Sequence, residues 1–437
     1  MYNKKHIKGE IMLDINFIKN NKQKMIDNIN NRNMKCDIDA VIAKYDEFAK
    51  VKKEIEEINA QVNALAKTIP AIKDKEEKLV YVEKAKNLKE QAKQKNASLD
   101  VLEKEYHDLM LTVPNMMAED TPIGKNDELN VEIEKFMQPT KFNFKPKDHY
   151  TLGMNMDLLD FDAATKVASN KFYYLKNELV QLQIALEMFA MNKLVKKGFT
   201  PILTPDMVKT DILLGSGFNP RGSESNIYNL EGLDLNLIAT AEITIGGYHS
   251  GDTFKKSDLP KKYVGISHCF RREAGASGKT DKGLYRVHQF SKVEMYQFTT
   301  EEDGERALQE LLGIEKEIYQ DLKIPYRVIR ICSGDMGAPA YKKYDIEAWM
   351  PGRGENGDYG EVTSVGNFTT FQSRRLNIKY IDDDEKKTKR YVNTLNGTAI
   401  ALTRTILAIM ENYQQEDGSI LIPDVLKPYL PFDKIAR

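Results

Sequence analysis

Between Cys269 and Met295 the chain reads CFRREAGASGKTDKGLYRVHQFSKVEM, and its residue types suit a charged, flat ligand. Arg271 and Arg272 precede Glu273, and a run of small and charged residues follows from Ala274 to Gly283. The alternation that resumes at Tyr285 divides a strand into two faces. Val287, Gln289, Ser291 and Val293 share one; His288, Phe290, Lys292 and Glu294 share the other. If the segment doubles back as a hairpin, Arg271 stands beside Phe290 and Glu294. A guanidinium, a flat ring and a carboxylate on one wall suit a phosphate, a base and an amine respectively. A surface hairpin with solvated charges has the same composition, so the segment alone leaves both readings open. No G-x-x-x-x-G-K-[ST] occurs, and the G-x-G-x-x-G at 352–357 runs into the β-rich YGEVTSVGNF rather than a helix, so neither nucleotide loop that rests on a helix N-terminus is present.

Such a wall needs a rigid support, and 437 residues suffice for two or three domains. Hydrophobic residues make up 41% and charged residues 30%, enough for a packed core under a heavily charged surface. Lys plus Arg (64) nearly cancels Asp plus Glu (65), for a net charge of -1, so a polyanion must be met by local patches. Cys36, Cys269 and Cys332 are far apart with no C-x-x-C pair, which fits a reducing compartment and gives no cysteine zinc site. No apolar run approaches a membrane span and the start lacks a signal-peptide core, so the expectation is a cytoplasmic protein with no membrane contact. The opening MYNKKHIKGEI is polar, and Met12 is an alternative start. His268 and His288 read as packing residues, and Trp349 as core.

From Phe142 onward, short β-rich runs alternate with helical stretches at 171–197, 301–322 and 397–413. The β-rich runs include LNLIATAEI, KYVGISHCF, YDIEAWM and YGEVTSVGNF. Strands outnumber helices and tight loops join several of them, so the fold class expected is α+β, an antiparallel β-sheet flanked by helices. The N-terminal part is different. From Asp39 to Val113 there is almost no glycine, and Val51, Ile55, Ile58, Val62, Leu65 and Ile69 form a coiled-coil seam. Past Pro70 a second seam runs through Tyr81, Ala85, Leu88, Ala92, Leu99, Leu102, Tyr106, Leu109 and Val113, interrupted by the polar Lys95. Asp74 and Glu77 make a capping box for the second helix. Two helices of roughly 45–55 Å, joined by so short a break, must return antiparallel as a projecting hairpin. The domains expected are 1–115 with the hairpin at 39–113, a linker at 116–141, and 142–437.

Three segments, the opening stretch among them, resemble the signature motifs of class II aminoacyl-tRNA synthetases. GFTPILTPDMV with Pro205 is similar to motif one, FRREAGASGKTDKGLYRVHQFSKVE to motif two, and NTLNGTAIALTRTILAIMENYQ with Arg404 to motif three. Together with ATAE at 239–242, DMGAPAYKKYDIEAWMPGRG and GEVTSVGNFTTFQSRR, they most resemble the seryl-tRNA synthetase family, bacterial type. That resemblance runs from about Met12 to the C-terminus and includes the long hairpin.

The resemblance implies activation of L-serine with ATP to seryl-adenylate, then transfer to the 3′ end of tRNA(Ser), with charging of tRNA(Sec) left open. It implies catalytic roles for Arg271, Glu294 and Arg404. It places serine against Thr240, Ala241, Glu242, Arg271, Glu294, Asn396 and Thr398. ATP falls to Arg271, Arg272, Glu273, Val287, Phe290, Glu361, Val362, Thr363, Ser364 and Arg404, with Phe290 under adenine, Arg404 over it, and Mg2+ on Glu361 and Ser364. No zinc is expected. The implied partners are tRNA(Ser), gripped by the coiled-coil arm and at its acceptor end, and a second copy of the chain in a homodimer. Two other readings remain: a ligase that loads a carrier protein, whose members generally lack the arm, and a non-catalytic RNA-binding scaffold, which would have lost Arg271, Glu294, Glu361 or Arg404.

Overall fold

The computed structural model describes residues 13–219, 226–273 and 283–437. Met12 and the basic loop at 274–282 lie outside the described residues. The chain divides into two compact units, one ending at Pro114 and the other running from Asn115 to Arg437.

In the first unit two short helices precede helix α1 (Ile38–Thr68, 31 residues) and helix α2 (Lys75–Leu111, 37 residues). A 3-10 turn at Ile69–Ala71 contains Pro70. Asp74 caps α2 by accepting from the Glu77 N–H at 2.9 Å, which is half of the expected capping box. Lys44 pairs with Glu105 at 2.9 Å and Lys95 with Glu54 at 2.6 Å, so the partner index falls as the chain advances. That order makes the hairpin antiparallel. Every seam residue is buried or half-buried, with Ile55, Ile58, Ala92, Leu102 and Val113 deepest. Lys95 interrupts the stripe by reaching sideways to Glu54, which ties one register to one charge pair.

The second unit is built on an eight-stranded sheet. In chain order its strands are β1 (Val131–Phe136), β2 (Thr200–Leu203), β3 (Lys261–Phe270), β4 (Gln289–Thr299), β5 (Tyr326–Arg330), β6 (Lys342–Met350), β7 (Asp358–Thr369) and β8 (Asn393–Ala401). The spatial order is β1-β5-β6-β7-β8-β4-β3-β2. All neighbours are antiparallel except the edge pair β2 and β3, which is parallel. Helices α3 (Glu178–Lys196), α5 (Gly304–Asp321) and α6 (Leu402–Asn412) cover one face and share its main core with Val293, Met295, Ile346 and Leu395. The opposite face carries a smaller cluster around Tyr296 and Phe298, packed on helix α4 (Ala241–Tyr248). Strand β4 thus sends Val293 and Met295 to one core and Tyr296 and Phe298 to the other, the period of two read from the sequence.

Three boundaries differ from expectation. Residues 397–401, read as helix, belong to β8, because Gly397, Thr398 and Ile400 pair with β4. The run LNLIATAEI is strand only at Asn236–Leu237; Thr240 then caps α4, so ATAE is a helix start. Residues before Glu178 are not part of α3. Trp349 is half-buried against Tyr359 at 5.2 Å between rings, not in the main core.

The half-exposed Lys95–Glu54 pair contributes little, whereas an apolar residue at that seam position buries area. Lys95→Leu should therefore raise the hairpin's melting transition in calorimetry of the full chain. A lowered midpoint would show that the ion pair outweighs the seam.

Candidate active site

A cleft of about 410 Å³ opens on the sheet face that carries Phe290 and Lys292. Its floor is the ends of β4, β6, β7 and β8. One rim is the start of α4, another the segment Tyr285–Val287 that leads into β4, and a third the turn around Pro339.

At the α4 end, Thr240 and Glu242 are oriented by the helix start itself. Thr240 Oγ1 accepts from the Glu242 N–H at 3.4 Å, which points both side chains toward β4 and β8. Glu242 accepts from Gln372 Nε2 at 2.6 Å and from Asn396 Nδ2 at 2.8 Å. Burial, reinforced by the neighbouring Glu294 carboxylate, raises Glu242 to about 7. Register places Thr398 opposite Glu294. Asn396 Nδ2 also donates to Glu294 Oε1 at 2.8 Å, Thr398 Oγ1 donates to Glu294 Oε2 at 3.1 Å, and Lys292 Nζ lies 2.7 Å from that oxygen. Glu294 is 0% exposed, so it lies beneath the wall and acts on it through these three residues.

The middle of the cleft belongs to Arg271 and Phe290. Arg271 follows the last residue of β3, where its N–H donates to the His288 carbonyl at 2.9 Å. Its guanidinium lies 5.2 Å from the Phe290 ring centroid. Glu273 pairs with Arg286 Nε at 3.0 Å across the rim. Val287 lines the cleft although its parity assigns it to the opposite face, because β4 begins only at Gln289. The rim is anchored from behind. Leu284 N–H donates to His149 Nε2 at 3.0 Å, so His149 carries its proton on Nδ1 and gives it to Glu411 Oε1 at 2.8 Å. Gly283, with φ of +81°, brings the backbone so close to that imidazole that a Cβ would lie 2.1 Å from it.

At the far end Arg404, on α6, donates from Nη1 to the Glu361 carbonyl at 2.9 Å and from Nε to the Tyr285 carbonyl at 3.2 Å. Its guanidinium sits 4.7 Å from the Tyr285 ring centroid, and that of Arg353 sits 4.4 Å from it. Burial alone would raise the Glu361 carboxyl, but Arg404, Lys343 and Arg271 outweigh it and hold it at about 2. Glu361 is therefore ionised at any ordinary pH. Asp345, opposite Ser364 in the β6–β7 register, is driven up to about 6 by burial against the opposing pull of Lys343, whose Nζ lies 3.3 Å away. Among the described residues no three His, Cys, Asp or Glu side chains are grouped to hold a metal. An ionised carboxylate and a hydroxyl at Glu361 and Ser364, both on the cleft, are instead the hard oxygen donors that suit a Mg2+ arriving with a polyphosphate.

Of the site residues read from the sequence, the cleft gathers Thr240, Glu242, Arg271, Glu273, Val287, Phe290, Glu361, Val362, Thr363, Ser364, Asn396, Thr398 and Arg404. Ala241 is buried inside the start of α4, and Arg272 is exposed with its N–H on the Asn226 carbonyl, both away from the cleft lining. Sequence reasoning missed Lys343, Tyr285 and Lys292. The parity of β4 already put Lys292 between Phe290 and Glu294, and spacing by two put Lys343 beside Asp345; no local signal marked Tyr285.

Glu242 provides a check on this geometry. Its folded value lies above its unfolded one, so its neutral form stabilises the fold at low pH, and that contribution is lost as pH rises through about 7. Glu242→Gln should remove this loss. The difference in urea midpoint between the variant and the native chain should shift in favour of the variant between pH 5 and pH 8, at conditions on the order of those two values.

Residues 228–413 match the family described as tRNA synthetase class II core domain (G, H, P, S and T), and residues 12–117 match the Seryl-tRNA synthetase N-terminal domain. The chain is 50% identical over 425 residues to a serine–tRNA ligase of Treponema denticola, covering 97% of this chain and 100% of that one. It is 48% identical to a serine–tRNA ligase of Borrelia recurrentis, over 97% and 99% of the two chains. The crystal structure of seryl-tRNA synthetase from Pyrococcus horikoshii complexed with ATP superposes with a TM-score of 0.88 at 37% identity, over 97% of this chain and 99% of that one.

Proposed function

The chain belongs to the seryl-tRNA synthetase family, with the activity of an ATP-dependent serine–tRNA ligase, and we propose that the cleft carries both of its steps. In the first, the serine carboxylate attacks the α-phosphorus of ATP and diphosphate leaves; in the second, a 3′-terminal hydroxyl of tRNA(Ser) attacks the seryl carbonyl and AMP leaves. The observation that carries this is the juxtaposition along one wall of an acceptor-rich end, a central arginine over an aromatic ring, and an ionised carboxylate.

Glu242 and the Thr240 and Thr398 hydroxyls form the serine end, where an ammonium meets a carboxyl poised at about 7 and draws it into its charged form. Arg271, adjoining that end, neutralises charge that builds on the α-phosphoryl group. Phe290 supports adenine, and Arg404, held by the Tyr285 and Glu361 carbonyls, covers it from the other side. Glu361 and Ser364 would hold Mg2+, which neutralises phosphate charge when bound. No side chain needs to be a nucleophile, since both attacking groups belong to substrates and the protein supplies placement and charge.

The family arm and the charge balance of the chain support a grip on tRNA(Ser) by α1 and α2 through local lysines and shape. A homodimer is supported by exposed apolar residues on the segment that resembles motif one, Leu203 at 83% and Met207 at 47%. A cytoplasmic location fits three unpaired cysteines, and no described helix is long and apolar enough to cross a membrane.

ATP–pyrophosphate exchange tests the reading. Exchange should depend on serine far more than on alanine or glycine, and Arg271→Ala should slow it about a hundred- to a thousandfold, the effect of losing about 2.7–4 kcal/mol of charge stabilisation. Near-normal exchange in a folded Arg271→Ala protein would move the clamp elsewhere. Replacing residues 39–113 with a short bridge should spare exchange and abolish tRNA charging. Undiminished charging by that variant would deny the hairpin its role.

A further inference from the structure

We propose that Lys292 is a positioning residue that sets the hydrogen-bond polarity of the serine subsite, and through it the preference for a hydroxylated side chain. The inference rests on the adenylation reading above. Lys292 stands on β4 between Phe290 and Glu294 and is 6% exposed. Its Nζ lies 2.7 Å from Glu294 Oε2, 3.0 Å from Thr240 Oγ1 and 3.3 Å from Thr398 Oγ1. An ammonium has three N–H donors and no acceptor, so these three oxygens use it completely. It has no donor left for a substrate, and what it does is done to its neighbours.

The direction of each bond follows. Thr398 Oγ1 accepts from Lys292 and gives its own hydrogen to Glu294 Oε2, so it meets the cleft with a lone pair only. Thr240 Oγ1 accepts from Lys292 and from the Glu242 N–H, so its hydrogen is not used by either contact and is directed away from both donors. The two threonines, alike in chemistry, are thereby made unlike: one an acceptor, the other a donor. A hydroxyl with one hydrogen and two lone pairs satisfies both at once. A methyl group satisfies neither and leaves two desolvated polar groups unpaired, the circumstance in which discrimination is strongest. Without Lys292, Thr398 keeps only its bond to Glu294 and Thr240 only the long bond from the Glu242 N–H, so each hydroxyl is held by one contact instead of two and the wall distinguishes the two partners less sharply.

The test is ATP–pyrophosphate exchange by the full chain with serine and with alanine, for the native protein, Lys292→Met and Lys292→Arg. Lys292→Met should lower the ratio of kcat/KM for serine over that for alanine by about tenfold or more, with KM for ATP within about twofold of native. Lys292→Arg keeps the charge beside Glu294 and with it the fold, but a planar fork does not reach three acceptors set around one nitrogen, so the ratio should fall similarly. Calorimetric binding of serine, alanine and ATP gives the same comparison where turnover is too slow to read. Equal losses with both amino acids would overturn the proposal and leave Lys292 a structural cation. A raised KM for ATP at an unchanged ratio would overturn it too, and make Lys292 a phosphate ligand. A native protein indifferent to serine would defeat the adenylation reading, and the proposal with it, in the control itself.

Discussion

Lys292 Nζ and Glu294 Oε2 meet at 2.7 Å on a strand whose neighbouring residues, Val293 and Met295, point into the main core. Neither charge is tenable there alone: removing an ion from water is costly, and a single unpaired one at that depth would neutralise or unfold its surroundings. Apolar pairs of the same size are often as stable in such places. What the ionic pair supplies is a set of fixed dipoles at the bottom of a cleft: it orients Asn396 and Thr398, adds a donor to the Thr240 hydroxyl that the start of α4 already holds, and reaches Glu242 through Asn396. The sheet makes this possible because β3, β4 and β8 hold their registers on both sides of that strand, with Gly265 opposite Glu294 on one side and Thr398 on the other.

The other end of the cleft obeys the same rule with opposite outcome. Three cations surround Glu361 and keep it charged, whereas burial, with Glu361 as a neighbour, holds Asp345 near 6 against the pull of Lys343. Arg404 is fixed by two backbone carbonyls as well as by charge, so its position does not depend on a ligand. The two ends of the wall thus differ: the Glu242 carboxyl, at about 7, is easily protonated, and the Glu361 carboxyl stays ionised. Placement of this sort is what a reaction between two substrates needs, since the bond-making groups are both brought in.

Rigidity reaches the cleft from behind as well. The segment that leads into β4 is not part of the sheet, yet Tyr285 and Val287 line the cleft. Glu411 and His149 hold that segment through the Leu284 N–H, and Gly283 permits the close approach. A fixed imidazole tautomer thus acts as a splint for a rim that strand pairing does not support.

Much of this was legible beforehand, and for a physical reason. The two helices of the hairpin announce themselves because a seam of spacing four and three, a capping aspartate and a proline break are all local signals, and the helices form where those signals stand. The wall residues on β4 were readable because a strand alternates, so Phe290, Lys292 and Glu294 share a face whatever the fold. Motif resemblance supplied Arg271, Glu361 and Arg404. Tertiary structure decided what spacing does not encode. It turned ATAE into a helix start and 397–401 into a strand, because Thr240 found a capping role and Gly397 a pairing partner on β4. It put Val287 on the cleft by starting the strand only two residues later, drew in Lys343 and Tyr285, and sank Glu294 beneath the wall. Which polar side chain touches a ligand and which holds the one that does depends on how far each is withdrawn from water, and that depth exists only once the strands are assembled.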